Sequence, residues 1–260
     1  MEEHPVSDRI FTYNTLTDLA ADAAKAPEKW QTGGHDCPMS YADACQAIVR
    51  GDASQVPRAE KLLDQLMTDS VEVMTPMWEA SVWGAYPSVP DFLSGHPQPM
   101  RALVPQVAEK APIKIWVDLA SSAGVTLEEL ERRGITILAL LLKLQQTRPV
   151  DLVLCYGAPS NGVGMVLPWQ TRPMDLSTTC AMLCSGTLTR YPLMAVLRHK
   201  SRDLIGMGLR SEAHMREFFS IPEGDLCIGR MDISDYDFRD NPLGWINRQL
   251  AKFSDGGGEE

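Results

Sequence analysis

Hydrophobic positions recur along the chain in two rhythms, which divide it into a helical first part and an α/β remainder. Up to about Asp69 the pattern is helical and rich in small residues. Leu16-Thr-Asp-Leu-Ala-Ala-Asp-Ala-Ala-Lys25 favours a helix that stops at Pro27. Tyr41, Cys45 and Ile48 follow at helical spacing behind Ser40, whose hydroxyl suits an N-cap. Pro57 opens a third helix with Leu62, Leu63, Leu66 and Met67 on one face. The character then changes. Val71-Glu-Val-Met-Thr and Glu79-Ala-Ser-Val-Trp-Gly read as a pair of strands, and Pro87, Pro90, Pro97 and Pro99 predict a Pro-rich loop around residues 91–99.

The clearest architecture begins at Pro112. Ile113-Lys-Ile-Trp-Val-Asp118 alternates as a strand and ends on an aspartate, and Leu119-Ala-Ser-Ser-Ala-Gly124 is a small-residue turn. Thr126-Leu-Glu-Glu carries a hydroxyl cap with a glutamate three residues on, the signature of a capping box. The helix it starts runs to about Gln146 through Leu130, Ile137, Leu141 and Leu144. Val150 to Tyr156 is apolar enough to be a strand buried on both faces, and residues 162–167 follow closely enough to pair antiparallel with it. Residues 174–183 and 193–200 read as helices, 226–229 as a short strand and 243–253 as a last helix.

Strand, helix, strand, strand in that order predicts an α/β fold. A mixed, largely parallel sheet is flanked by helices, in a Rossmann-like or von Willebrand A-like arrangement with a helical N-terminal extension. The expected division is 1–70 for the extension, 71–253 for the α/β core and 254–260 for a mobile acidic tail without an apolar residue. There is no internal repeat.

Composition narrows the setting. The chain is 44% hydrophobic and 22% charged, as in ordinary globular proteins. A net charge of −10 argues against a surface that is basic overall, although a local basic face remains compatible with it. Cys37, Cys45, Cys155, Cys180, Cys184 and Cys227 include no C-x-x-C pair, and the start, MEEHPVSDR, lacks a secretory pattern. The longest apolar run, residues 135–142, is too short to span a bilayer. These features predict a protein with free thiols in a reducing cytoplasm, without membrane attachment.

The first candidate site is Asp118-Leu-Ala-Ser-Ser122, at the carboxyl end of a strand, where open α/β sheets bind ligands. It resembles the metal-site loop of the von Willebrand factor A fold, a strand ending in Asp-x-Ser-x-Ser that holds a divalent cation through oxygen ligands. Asp118 and Ser122 match the first and last positions, while Ala120 replaces the middle serine and removes one ligand. The reading preferred here is a tight strand-to-helix turn with no cofactor, and a divalent cation on Asp118 and Ser122 is the alternative.

Catalytic patterns are missing from the sequence. There is no G-x-S-x-G elbow, and Gly157-x-x-x-x-Gly162 lacks the Lys-Ser/Thr of a phosphate loop. His4, His35, His96, His199 and His214 make no H-E-x-x-H spacing, and His35 with Cys37 supplies only two potential zinc ligands. The expectation is a binding protein and not an enzyme, with an unrecognised enzyme site at the Asp118 turn as the third possibility.

Charge, by contrast, is unevenly placed. Arg190, Arg198, Lys200, Arg202, Arg210 and Arg216 crowd one segment, with Trp169, Arg172 and Tyr191 just upstream or within it. Cations mixed with aromatics can follow a phosphate backbone and stack bases, which is how single strands are held without sequence readout. A solvated helix face plus a loop is the plainer reading of the same residues.

Several blocks together resemble an uncharacterised family of tailed bacteriophages. They are Phe11-Thr-Tyr-Asn-Thr-Leu with Trp30 and Ser40-Tyr-Ala-Asp-Ala, then residues 84–100 (Gly-Ala-Tyr-Pro-Ser-Val-Pro-Asp-Phe-Leu-Ser-Gly-His-Pro-Gln-Pro-Met). Residues 115–124, 133–140 and Pro173-Met-Asp-Leu complete the set, although the Gly-Thr expected before Ser40 is missing. The resemblance implies a phage-encoded protein in the host cytoplasm. With the basic segment and the acidic tail, it implies a single-stranded DNA-binding cofactor of transcription or replication that brings an RNA polymerase to melted DNA. The rival is a protein–protein adaptor, for example the partner of an AAA-type ATPase. A homo-oligomer is compatible with either.

Overall fold

A computed structural model of the chain describes residues 9–31, 38–67, 76–81, 86–105, 112–122, 124–146, 148–158, 162–169, 175–201, 211–231 and 237–253. In chain order the elements are β1 (Arg9–Thr12), α1 (Leu16–Ala24), a single 3₁₀ turn (Glu28–Trp30), α2 (Tyr41–Arg50), α3 (Val56–Met67), β2 (Pro76–Ser81), β3 (Tyr86–Pro87), α4 (Val89–Leu93), β4 (Met100–Pro105), β5 (Ile113–Asp118) and α5 (Leu127–Gln145). After them come β6 (Val150–Ala158), β7 (Val163–Trp169), α6 (Leu176–Cys184), α7 (Gly186–Leu188), a π-helical turn (Thr189–Leu193), α8 (Met194–Ser201), α9 (Glu212–Phe219), β8 (Leu226–Ile228), α10 (Asp237–Asp240) and α11 (Pro242–Ala251).

The main sheet has the order β1-β7-β6-β5-β8. β5 is parallel to both β6 and β8, β1 is parallel to β7, and only β6 and β7 run antiparallel. The fold is therefore α/β with a mixed, largely parallel sheet, consistent with a Rossmann-like core. α5 makes the crossover between β5 and β6, and its capping box forms as the sequence requires: the Thr126 hydroxyl accepts from the Glu129 N–H, and the Glu129 carboxylate accepts from the Thr126 N–H at 2.8 Å. Such a cap is worth about 1 kcal/mol.

Strand periodicity sends alternate residues to opposite faces of the sheet. Ile113, Ile115, Val117, Leu152 and Leu154 join a large core with α1, α5, α6 and α8. Trp116, Val153, Cys155, Val166 and Cys227 face the other way, where α9 covers them with Met215, Phe218 and Phe219. α5 and α6 approach backbone to backbone at Gly134, where a Cβ would stand 2.6 Å from the Cα of Cys184 and closer still to the Leu183 carbonyl.

Several elements go beyond the sequence pattern, α9, α10 and β3 among them. β1 extends the sheet from within the helical N-terminal part, and four residues were too few to register as a strand. β4 pairs antiparallel with β2 and β3 in a second, three-stranded sheet. α4 occupies the start of the expected Pro-rich loop, because Pro90 sits in its first turn, where a missing N–H costs nothing. Residues 71–75, read as a strand, and the acidic tail 254–260 lie outside the described residues. Among the described residues no single helix is long and apolar enough to cross a membrane.

Candidate functional site

The carboxyl edge of β5, β6 and β8 gathers the chemistry. Asp118 ends β5 with no exposed surface, on the α9 side of the sheet, paired in register with Cys155. One carboxylate oxygen, Oδ1, accepts the Ala120 N–H at 2.9 Å and so closes the turn, while Oδ2 has no hydrogen-bond partner among the described residues. Burial pushes the Asp118 carboxyl up to about 6, against the opposing pull of the Ala120 N–H, Arg133 and Arg230.

Arg133, buried on α5, is the clamp of this edge. It donates to the main-chain carbonyls of Asp118 at 2.9 Å and Gly229 at 2.7 Å, and its guanidinium lies 5.8 Å from the centre of the Phe238 ring. The turn and the segment after β8 then continue as a parallel ladder. Ser121 bridges Met231, the Ser122 N–H donates to the Met231 carbonyl at 2.9 Å, and the Met231 N–H donates to the Ala120 carbonyl at 3.2 Å. Ser122 is thus held by its backbone beside the turn. Among the described residues no group of three or more His, Cys, Asp or Glu is arranged to hold a metal ion.

Tyr156, buried near the end of β6, extends the site. Burial raises its phenol well above the usual range and Asp118 adds to the shift, while Arg198 and Arg190 pull it down. Both arginines therefore lie within electrostatic reach of this edge. Arg190 donates to the carbonyl of Val125, in the turn that follows β5. The register carries the row further: Tyr156 faces Met165 on β7, which faces Phe11 on β1. Lys200 lies over the Phe11 ring, 5.3 Å from its centre, and pairs with Asp22 at 2.8 Å. Arg230, Arg133, Arg190, Arg198 and Lys200 thus follow one end of the sheet from β8 to β1.

The remaining residues of the basic segment sort differently. Tyr191 packs edge-to-face on Tyr41, ring centres 6.1 Å apart. Arg216 lies by the amino end of β8, bonded to Glu212 at 2.8 Å and to the carbonyls of Pro222 and Asp225 at 2.7 and 2.9 Å. Trp169 pairs in register with Leu152, also at the opposite end of the sheet from Tyr156. Arg172, Arg202 and Arg210, with His35 and Cys37, lie outside the described residues. Sequence reasoning missed Arg133 and Arg230. A guanidinium on the apolar face of α5 was the available signal for the first, since an arginine placed among Leu130, Ile137 and Leu141 must find acceptors inside the fold.

The model of a family described as a domain of unknown function (DUF7192) matches residues 8–253. No curated protein and no solved structure matches the chain.

Proposed function

Starting from the chain's membership of the DUF7192 family, we propose that it is a non-catalytic binding protein that holds single-stranded DNA along the carboxyl edge of its main sheet. The row of cations from Arg230 to Arg198 is the observation that carries this reading, Lys200 beside it being already paired with Asp22. Arg190 bonds to the neutral carbonyl of Val125 and is only half-buried, so its charge can act on a phosphate backbone, while the buried Arg133 holds the turn in place. In a chain of net charge −10, a basic row on one edge focuses the field there and selects a polyanion. The carboxyl ends of strands in an open α/β sheet are also where such folds take their ligands. The bacteriophage resemblance sets the proposed role in transcription or replication, where a protein holding melted DNA recruits an RNA polymerase.

Fluorescence anisotropy with labelled single-stranded and duplex oligonucleotides across a salt series tests it. Salt-sensitive binding that prefers the single strand is the expected result, and no binding at low salt overturns the proposal.

A second reading, a protein–protein adaptor, is favoured by one observation. Val89, Phe92 and Leu93 on α4 are 62, 66 and 78% exposed, an apolar knuckle on a short helix that suits an apolar groove in a partner protein. Affinity capture with the intact chain against a Phe92→Ser variant distinguishes this reading, because DNA binding would survive the change.

A further inference from the structure

Away from the carboxyl edge, a cleft of about 430 Å³ opens between α3, α5 and α10. Helical spacing builds its walls. Arg58, Lys61 and Leu62 stand three and four positions apart on α3, and Arg132 and Ile135 three apart on α5, so each set shares one face. Phe238 and Arg239 on α10 close the third side. Four cations thus surround a floor of Leu62, Ile135 and Phe238, and no Asp or Glu belongs to the described lining.

The way these cations are held decides what the cleft can take. Arg58 bonds to Gln55 and Glu131 through Nη1 alone, and Arg132 bonds to Glu128 through Nη2 at 2.6 Å. Glu128 and Glu131 line a different cleft, beside α6, so the guanidiniums are braced from outside the one they line. Nε and Nη2 of Arg58, and Nε and Nη1 of Arg132, make no bond among the described residues. The exposed Lys61 ammonium meets no partner among them and is the uncompensated charge of the rim. Arg239 pairs with Asp240 at 2.8 Å. Exposed pairs of this kind are individually weak, so they leave room for a second anion. The floor is fixed as well: Phe238 is buried, with the Trp245 ring centre 4.7 Å away and the Arg133 guanidinium 5.8 Å from its own centre.

We propose that this cleft binds a small organic phosphate with a flat, apolar body. Its volume falls in the range of about 300–1,000 Å³ that holds small ligands. Planar guanidiniums with spare N–H groups fit phosphate oxygens in pairs, and Lys61 adds a point charge beside them. The body of the ligand covers Leu62, Ile135 and Phe238, a gain that a bare phosphate ion lacks. None of the row from Arg230 to Arg198 lines the cleft, so the site is independent of any DNA binding.

Isothermal titration of the intact chain with 1-naphthyl phosphate, inorganic phosphate and 1-naphthol tests the proposal. One equivalent of 1-naphthyl phosphate is expected to bind, with inorganic phosphate and 1-naphthol each weaker by about tenfold or more. Lys61→Gln and Arg132→Gln should each weaken 1-naphthyl phosphate by about tenfold or more, since each removes a charged donor. Lys114→Gln, which removes an exposed cation near the amino end of β5, should leave binding unchanged. Should a rim variant lose its circular-dichroism signal, acetylation of the unaltered chain replaces it: 1-naphthyl phosphate then protects Lys61 and not Lys114, read by mass spectrometry. Absence of binding, equal binding of 1-naphthol, binding that either rim substitution leaves unchanged, or acetylation of Lys61 indifferent to the ligand overturns the proposal.

Discussion

Arg133 holds the Asp118 backbone while leaving half of the Asp118 carboxylate unsatisfied: the guanidinium bonds to the Asp118 carbonyl at 2.9 Å, and Oδ2 of the same residue has no hydrogen bond among the described residues. The strand end is thus pinned through its main chain, and its side chain is kept in a costly state. A buried carboxylate with a spare acceptor is tolerated where two cations, Arg133 and Arg230, lie within electrostatic reach.

Asp118 should therefore make the protein less stable as pH rises. Its folded value, about 6, stands above the ordinary 3.8, so the native state binds more protons than the unfolded state between those values. Stability falls through that window and the penalty is complete above it, on the order of 2–3 kcal/mol. Urea denaturation at pH 4 and pH 7 should show this slope. Asp118→Asn keeps an oxygen for the Ala120 N–H and removes the charge, so the slope between pH 4 and 6 should flatten. A slope unchanged in the variant would assign it to other groups.

Removing the clamp itself is more damaging. Arg133→Met keeps the length of the side chain but strands the carbonyls of Asp118 and Gly229 and leaves Asp118 with one cation fewer. A loss of about 3 kcal/mol or more is expected in chemical denaturation. Both bonds come from one guanidinium nitrogen, Nη2, so Arg133→Lys, whose single ammonium can also donate twice, should recover part of the loss.

Gly134 and Gly224 provide a matched test of the helix packing. A methyl on Gly134 collides with the backbone of α6 at Leu183 and Cys184, and neither helix can retreat from a shared core. Gly134→Ala should cost about 3 kcal/mol or more, at the upper end for overpacking. Nothing stands within 4 Å of a Cβ on Gly224, so Gly224→Ala should change stability by no more than about 0.5 kcal/mol. Thermal melts of the two variants side by side would show whether α5 and α6 meet as described.

Most of the layer architecture was legible because its elements carry strong local signals. The Thr126–Glu129 capping box, the alternation over 113–118 and the apolar run over 150–156 each name an element, and their order implies the crossover. β1 carried no such signal. Arg9 to Thr12 becomes a strand because β7 offers it an edge, and that is a tertiary fact. The candidate site divided for the same reason. Asp118 stood out because a strand ending on a carboxylate is visible locally. Trp169 and Arg190 are 21 positions apart in the chain, and only the antiparallel register of β6 and β7 sends them to opposite ends of the sheet.

That separation gives the DNA-binding proposal its sharpest test. If the carboxyl edge tracks the phosphate backbone, Arg198→Gln and Arg230→Gln should each weaken single-strand binding uniformly across sequences and lower the slope of log K against log salt by about 1. Arg216→Gln changes a cation at the opposite end of the sheet that Glu212 already pairs with, and should leave that slope unchanged. Lys200→Gln should also have little effect on the slope, because Asp22 already neutralises that ammonium at 2.8 Å. Equal loss at all four positions would mean that the DNA responds to the total charge of the chain and not to one edge. Loss at Arg216 alone would move the interface to the α9 face, where Trp116 stacks near Phe219 and donates to Asp225.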